Sequence, residues 1–122
     1  MTNGRRLTAW LAVVAWAGVI FWLSSIPSLS TGLGTWDLIL RKGAHVTEYA
    51  ILMLLLVQTG IRQRLGLLLL GMLYAGTDEW HQTYVEGRAG RPRDVLIDTI
   101  GLLIGLWVAS AVARARRTAR SG

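Results

Sequence analysis

The polar residues of this chain are concentrated in three short clusters that lie in or beside long apolar segments. Both histidines and five of the seven acidic residues fall within residues 41–48, 78–82 and 88–98. A charged side chain inside a lipid bilayer is energetically costly, and such residues usually mark functional sites. If the apolar segments cross a membrane, the three clusters therefore predict a working site.

The composition favours a membrane protein. Hydrophobic residues make up 52% of the 122 residues and charged residues only 16%, whereas soluble domains average about a quarter charged residues. The chain contains no cysteine, which excludes a disulfide framework and a thiolate metal site. The net charge of +6 comes from basic residues dispersed at segment ends. This pattern indicates that the basic residues set the orientation of the chain in the membrane and contact lipid headgroups. No nucleic-acid partner is expected.

The apolar segments predict an all-α integral membrane bundle of four transmembrane helices in a single domain. We expect helices at about residues 7–23, 38–59, 65–82 and 94–112, followed by a basic cytoplasmic tail at 113–122. The first segment has the length of a secretory signal. No convincing small-x-small cleavage site follows it, so we expect it to be retained as a helix.

Charge asymmetry predicts the orientation of this multi-pass chain. Four spans place both termini and the turn at residues 60–64 on one side, which carries eight basic residues against five on the other side. The positive-inside bias then predicts that the N- and C-termini are cytoplasmic. All three polar clusters would consequently lie together at the outer side of the membrane.

Two features concern helix packing. The short turn at residues 60–64 predicts that the second and third helices are antiparallel neighbours. Gly101 and Gly105 form a Gly-x-x-x-Gly pair in the fourth helix, which permits close backbone approach. This pair would serve either packing within the chain or a homodimer.

Helical spacing groups the polar residues on shared faces. Arg41, His45 and Glu48 share one face of the second helix, and Asp94 and Asp98 share one face of the fourth. On the third helix, Asp78 shares a face with two residues, namely His81 and Gln82. Glu79 is expected to point toward a neighbouring helix or the rim.

These residue types suit three kinds of chemistry. Carboxylates with imidazoles can perform acid–base work or hold a divalent metal such as Zn, Mn or Mg, and basic side chains can bind a phosphate. The catalytic candidates are His45, Glu48, Asp78, Glu79, His81, Asp94 and Asp98. The metal-ligand candidates are His45, His81, Asp78 and Asp98. The ligand-binding candidates are Arg41, Lys42, Gln82 and Arg88.

Structural roles for the same residues remain open. A His45–Glu48 pair can act as a polar clasp between helices, and Arg88 with its neighbouring arginines can contact lipid headgroups. Residues 78–82 do not form the His-Glu-x-x-His pattern of zinc proteases.

Four ordered blocks of the sequence resemble the VanZ-like family of small bacterial membrane proteins. They are Lys42-Gly-Ala-His45 with the following Glu48-Tyr-Ala-Ile-Leu, the stretch Tyr74-Ala-Gly-Thr-Asp-Glu-Trp-His-Gln82, the pair Gly87-Arg88, and Asp94-Val-Leu-Ile-Asp-Thr-Ile-Gly101. The linker at residues 90–93 departs from the expected smaller, more polar pattern.

The resemblance implies a bacterial inner-membrane location and a link to antibiotic resistance, because the namesake is associated with low-level teicoplanin resistance. It leaves three function hypotheses. The first is a cell-envelope protein whose outward pocket binds a lipid-linked or lipopeptide ligand. The second is a metal-assisted membrane hydrolase or transferase acting on a lipid-linked phosphate. The third, a proton or ion pathway, is the weakest, because the cytoplasmic halves of the helices lack ionisable residues to continue a relay.

Overall fold

The structure, a computed structural model, describes residues 3–25, 35–82, 84 and 92–121. Within these residues it is all-α with four helices, which confirms the all-α part of the predicted fold class. The four helices are α1 (Asn3–Ser25), α2 (Thr35–Val57), α3 (Arg64–Gln82) and α4 (Pro92–Ser121).

The helix ends follow local chemistry. After α2 ends, Gly60 takes a positive φ of 95°, a conformation that glycine adopts without strain and that commonly terminates helices. At the other end of the chain, α4 continues to Ser121, whereas the sequence predicted a separate tail after residue 112. Alanine and arginine dominate this extension and both favour helix, which explains why the helix continues.

Helix α2 lies at the centre of the bundle and packs against α1, α3 and α4. No large apolar side chain in its described part, residues 42–57, is exposed. Side-chain hydrogen bonds attach α1 to its neighbours: Trp16 Nε1 donates to Glu48 O of α2 at 2.9 Å, and the Tyr74 hydroxyl of α3 donates to Ala17 O. The first helix is thus an integrated part of the bundle.

The closest helix contact joins α2 and α4 at two glycines. A Cβ atom added to Gly101 would come within 2.5 Å of the Val46 carbonyl oxygen, and one added to Gly105 would collide with the Ala50 carbonyl oxygen. Of the two roles predicted for this pair, the structure therefore supports packing within the chain. A homodimer through the same face would need α2 to leave α4, and we do not propose it.

Among the residues that the structure describes, two helices are long and apolar enough to cross a membrane, namely Asn3–Leu23 and Val95–Arg120. Only 11% and 22% of their most apolar windows are buried, so neither resembles the enclosed core helix of a soluble protein. Instead, both expose large apolar side chains, among them Leu7, Leu11, Phe21, Leu96, Ile100 and Trp107. The other two predicted spans, α2 and α3, are not apolar enough by the same measure. They carry charged residues within positions 41–48 and at 78–79.

Candidate functional site

An ion pair between α2 and α4 forms the core of the site. His45 Nδ1 lies 3.0 Å from Asp98 Oδ1, and the Asp98 side chain is completely buried while the His45 side chain is 17% exposed. Gly101 lies three residues after Asp98 and contacts the residue after His45, so the close backbone approach of the two helices occurs beside this pair.

Asp78 brings α3 into the same cluster. The Tyr49 hydroxyl of α2 donates to Asp78 Oδ2 at 3.0 Å, and both side chains are buried. Tyr49 follows His45 by one helical turn, and their rings are nearly parallel, with centroids 6.5 Å apart. Tyr49 therefore lies between His45 and Asp78: its ring faces the imidazole and its hydroxyl donates to the carboxylate.

The ligand atoms of His45, Asp78 and Asp98 all lie within 4.8 Å of one another. Asp78 Oδ1 is buried, and no hydrogen-bond partner for it exists among the described residues. Buried carboxylate oxygens normally have a polar partner. This oxygen therefore provides a position where a cation, a proton or a bound molecule would be stabilised.

The cluster lies near one end of the bundle. With a rise of about 1.5 Å per residue, Asp78 lies about 6 Å before the end of α3 and Asp98 about 9 Å after the start of α4. Both carboxylates are thus one to two helical turns from the same end. This arrangement matches the predicted convergence of the polar clusters at one level.

The donor set can perform two kinds of chemistry. One imidazole nitrogen and two carboxylates suit a borderline or hard divalent cation such as Zn, Mn or Mg. Alternatively, Asp98 can orient His45 by accepting a hydrogen bond at Nδ1, which leaves Nε2 as a proton acceptor or donor. Both uses require that the three helices hold the side chains in this geometry.

Other predicted site residues occupy different surroundings. His81 stacks on Phe21 of α1, with ring centroids 3.9 Å apart, and it is not one of the three residues whose ligand atoms converge. The ion pair of His45 is formed with Asp98 of another helix, whereas the predicted polar clasp paired it with Glu48. The backbone oxygen of Glu48 accepts the hydrogen bond of Trp16, and Glu79 is buried.

The basic candidates are only partly described. Lys42 is half-buried on α2, three residues before His45. The side chains of Arg41, Gln82 and Asp94 lie outside the described part of the chain, although their backbones are helical. Arg88 lies wholly outside it.

Sequence reasoning missed two tyrosines beside the site, of which Tyr49 donates to Asp78 and Tyr74 donates to Ala17 of α1. Tyr49 is four residues after His45, and Tyr74 is four residues before Asp78. Spacing of four residues places both on the same helix faces as the ionisable groups they accompany. The four-residue spacing was the sequence signal for these tyrosines. It indicates contact with the site only when the packing of the helices is known.

Comparison with known proteins gives one result. The family described as VanZ/LLP1 matches residues 8–113, which is most of the chain. No curated protein and no solved structure shows significant similarity to it. The chain therefore belongs to the VanZ/LLP1 family, which confirms the resemblance seen in the sequence.

Proposed function

We propose that this VanZ/LLP1 family member is a multi-pass protein of the bacterial cytoplasmic membrane that binds a lipid-linked phosphate of the cell envelope. The site would lie at the outer end of a four-span bundle with both termini in the cytoplasm. The observation that carries the proposal is the buried cluster of His45, Asp78 and Asp98, whose ligand atoms lie within 4.8 Å of one another.

Charge explains why a cation belongs in this proposal. Two buried carboxylates repel a phosphate group, so a phosphate ligand needs positive charge between itself and Asp78 and Asp98. A divalent cation held by His45, Asp78 and Asp98 would supply that charge. Lys42, one helical turn before His45, would add a second positive charge at the approach to the site.

A second candidate function is metal-assisted hydrolysis or transfer on the same lipid-linked phosphate. It is favoured by the His45–Asp98 pair at 3.0 Å, because an oriented imidazole can accept or donate a proton through Nε2. In this version Asp98 positions His45 for proton transfer, and Asp78 with Asp98 would hold a cation that supplies Lewis-acid chemistry at the phosphate. The same residues serve both candidates, which differ in whether a product is released.

The proposal is tested with a long-chain polyprenyl phosphate and the purified full chain in nanodiscs. Wild type should retain this lipid in the presence of Mg²⁺, Mn²⁺ or Zn²⁺ and lose it with chelator. Asp98→Asn should fail to retain it while remaining folded. Release of free phosphate or of a modified lipid by wild type would establish the enzymatic version. Retention that is equal in wild type and Asp98→Asn would refute both versions.

Two cellular measurements test the location and the physiological role. A reporter fused after Gly122 should be active only in the cytoplasm, and an external signal would contradict the orientation. For the proposed glycopeptide response, expression of wild type should raise the teicoplanin concentration that inhibits growth. Asp98→Asn, at matched membrane abundance, should not raise it; equal protection by both would argue against a role for the cluster.

A further inference from the structure

An open groove lies at the end of the bundle opposite the polar cluster. It has a volume of about 310 Å³ and runs between the start of α3 and the middle and second half of α4. Three arginines and three large apolar side chains line most of it: Arg64, Arg114, Arg117, Leu103, Leu106 and Trp107. The groove is therefore cationic on one part of its wall and apolar on another.

The sequence segments that line this groove contain no acidic side chain. No aspartate or glutamate occurs in residues 49–77 or 99–122, which contain α3 up to its polar end and most of α4. Arg114 and Arg117 are three residues apart and share a face of α4, while Arg64 faces them from α3. All three arginines are exposed, so an anionic ligand can reach them from solvent.

The apolar part of the groove extends along α4 toward the middle of the helix. Leu103 is 48% exposed and Trp107 66% exposed, and both lie near the middle of this membrane-length helix. Arginine binds phosphate through two parallel hydrogen bonds, and apolar side chains near the middle of a membrane-spanning helix lie at the depth of the hydrocarbon core. A ligand that matches both parts has a phosphate-bearing head and a hydrocarbon chain.

We propose that this groove is a binding site for an anionic phospholipid, with the headgroup phosphate on Arg64, Arg114 and Arg117 and an acyl chain along Leu103 and Trp107. Charge complementarity selects the anionic head, and the adjoining apolar wall selects a lipid over a soluble phosphate. The site is separate from the one proposed for the polar cluster, since it lies at the other end of the same helices.

The chain offers a matched pair of variants for the test. The groove variant carries Arg64→Gln, Arg114→Gln and Arg117→Gln. The control carries Arg62→Gln, Arg116→Gln and Arg120→Gln, three exposed arginines of the same region that do not line the groove. Both variants lose the same charge. Retention of phosphatidylglycerol and of phosphatidylcholine is measured by native mass spectrometry after extraction from mixed vesicles.

The groove variant should lose about tenfold or more of its preference for phosphatidylglycerol, since each basic residue near an anionic membrane surface contributes about fivefold. The control should lose much less. Equal losses in both variants would overturn the proposal, because dispersed charge would then explain lipid binding. Displacement of phosphatidylglycerol by millimolar glycerol phosphate would also overturn it, since the apolar wall would play no part.

A smaller substitution guards against misfolding of the triple variant. Arg114→Gln and Arg116→Gln are compared in the same way, and each removes one exposed charge from α4. Arg114→Gln should reduce the phosphatidylglycerol preference more than Arg116→Gln does. The reverse order, or no difference, would contradict the proposed site.

Discussion

The two ends of this bundle use ionisable residues in opposite ways. At one end, His45, Asp78 and Asp98 come from three helices, and the two carboxylates are almost completely buried. At the other end, Arg64, Arg114 and Arg117 are exposed around an open groove. The placement of the buried charges depends on how closely the helices pack. The placement of the exposed arginines depends mainly on which residues of α3 and α4 face the solvent. Substitutions should therefore affect stability strongly at the first end and weakly at the second.

The largest effect is expected at the glycine contact between α2 and α4. In Gly101→Ala the new Cβ would come within 2.5 Å of the Val46 carbonyl oxygen, so α2 must move and separate His45 from Asp98. We expect a loss of about 1–3 kcal/mol in the free energy of unfolding, as in other overpacked interiors. Chemical unfolding in detergent, followed by circular dichroism, measures this loss.

Gly76→Ala is the matched control for that substitution. Gly76 is also in a helix, but an added Cβ would meet nothing within 4 Å. Alanine is a better helix former than glycine, so this variant should be unchanged or up to about 1 kcal/mol more stable. If Gly101→Ala proved as stable as Gly76→Ala, the close contact between α2 and α4 would not hold the polar end together.

A smaller loss is expected for Tyr49→Phe. This substitution removes the hydroxyl that donates to Asp78 Oδ2 at 3.0 Å and leaves the rest of the buried ring in place. Hydrogen bonds between membrane helices contribute about 0.6 kcal/mol on average and up to about 1.7 kcal/mol. We expect the free energy of unfolding to fall by an amount near the upper value, because Asp78 is buried. If the same unfolding assay shows no loss, this hydrogen bond does not stabilise the protein.

Trp16→Phe should cost less than Tyr49→Phe. Trp16 Nε1 donates to the Glu48 carbonyl oxygen, which belongs to helical backbone, and Trp16 is only partly buried. The substitution therefore leaves a backbone acceptor within a helix, whereas Tyr49→Phe leaves a carboxylate. We expect a loss near the average of about 0.6 kcal/mol. A larger loss than in Tyr49→Phe would show that attachment of α1 matters more than the polar cluster.

The smallest effect is expected at the basic end. Arg116→Gln alters an exposed side chain on the part of α4 beyond the packed bundle, and such surface substitutions usually change stability by less than about 0.5 kcal/mol. Unfolding curves of this variant and wild type should coincide within that range. A loss comparable to that of Gly101→Ala would show that the basic end is also held by specific contacts.

Much of the fold was predictable because it depends on local pattern. The apolar segments gave the helix number, and α3 was predicted at residues 65–82 against Arg64–Gln82 in the structure. The end of α4 was wrong, because the arginines were interpreted as a tail although alanine and arginine together favour helix. Local pattern thus predicts the presence of a helix well. It predicts the end of a helix poorly when no glycine or proline marks that end.

The candidate site was predictable in its residue types but not in its pairings. His45, Asp78 and Asp98 were all proposed from the sequence, whereas the pairing of His45 with Asp98 depends on the contact between α2 and α4. His81 was proposed as an equal partner, yet α1 lies beside it and supplies Phe21. Helical spacing reports which residues share a face, but it does not report which helix that face will meet.

The most direct test of the central claim is the divalent metal content of the detergent-purified full chain. Wild type is measured by mass spectrometry beside Asp98→Asn and beside a control, Tyr74→Phe. The control removes a partly buried hydrogen bond to Ala17 and leaves every proposed ligand in place. We predict stoichiometric metal in wild type and Tyr74→Phe, and its loss in folded Asp98→Asn. Wild type that holds no metal after incubation with Mg²⁺, Mn²⁺ and Zn²⁺ would contradict the claim and make the cluster a structural polar core.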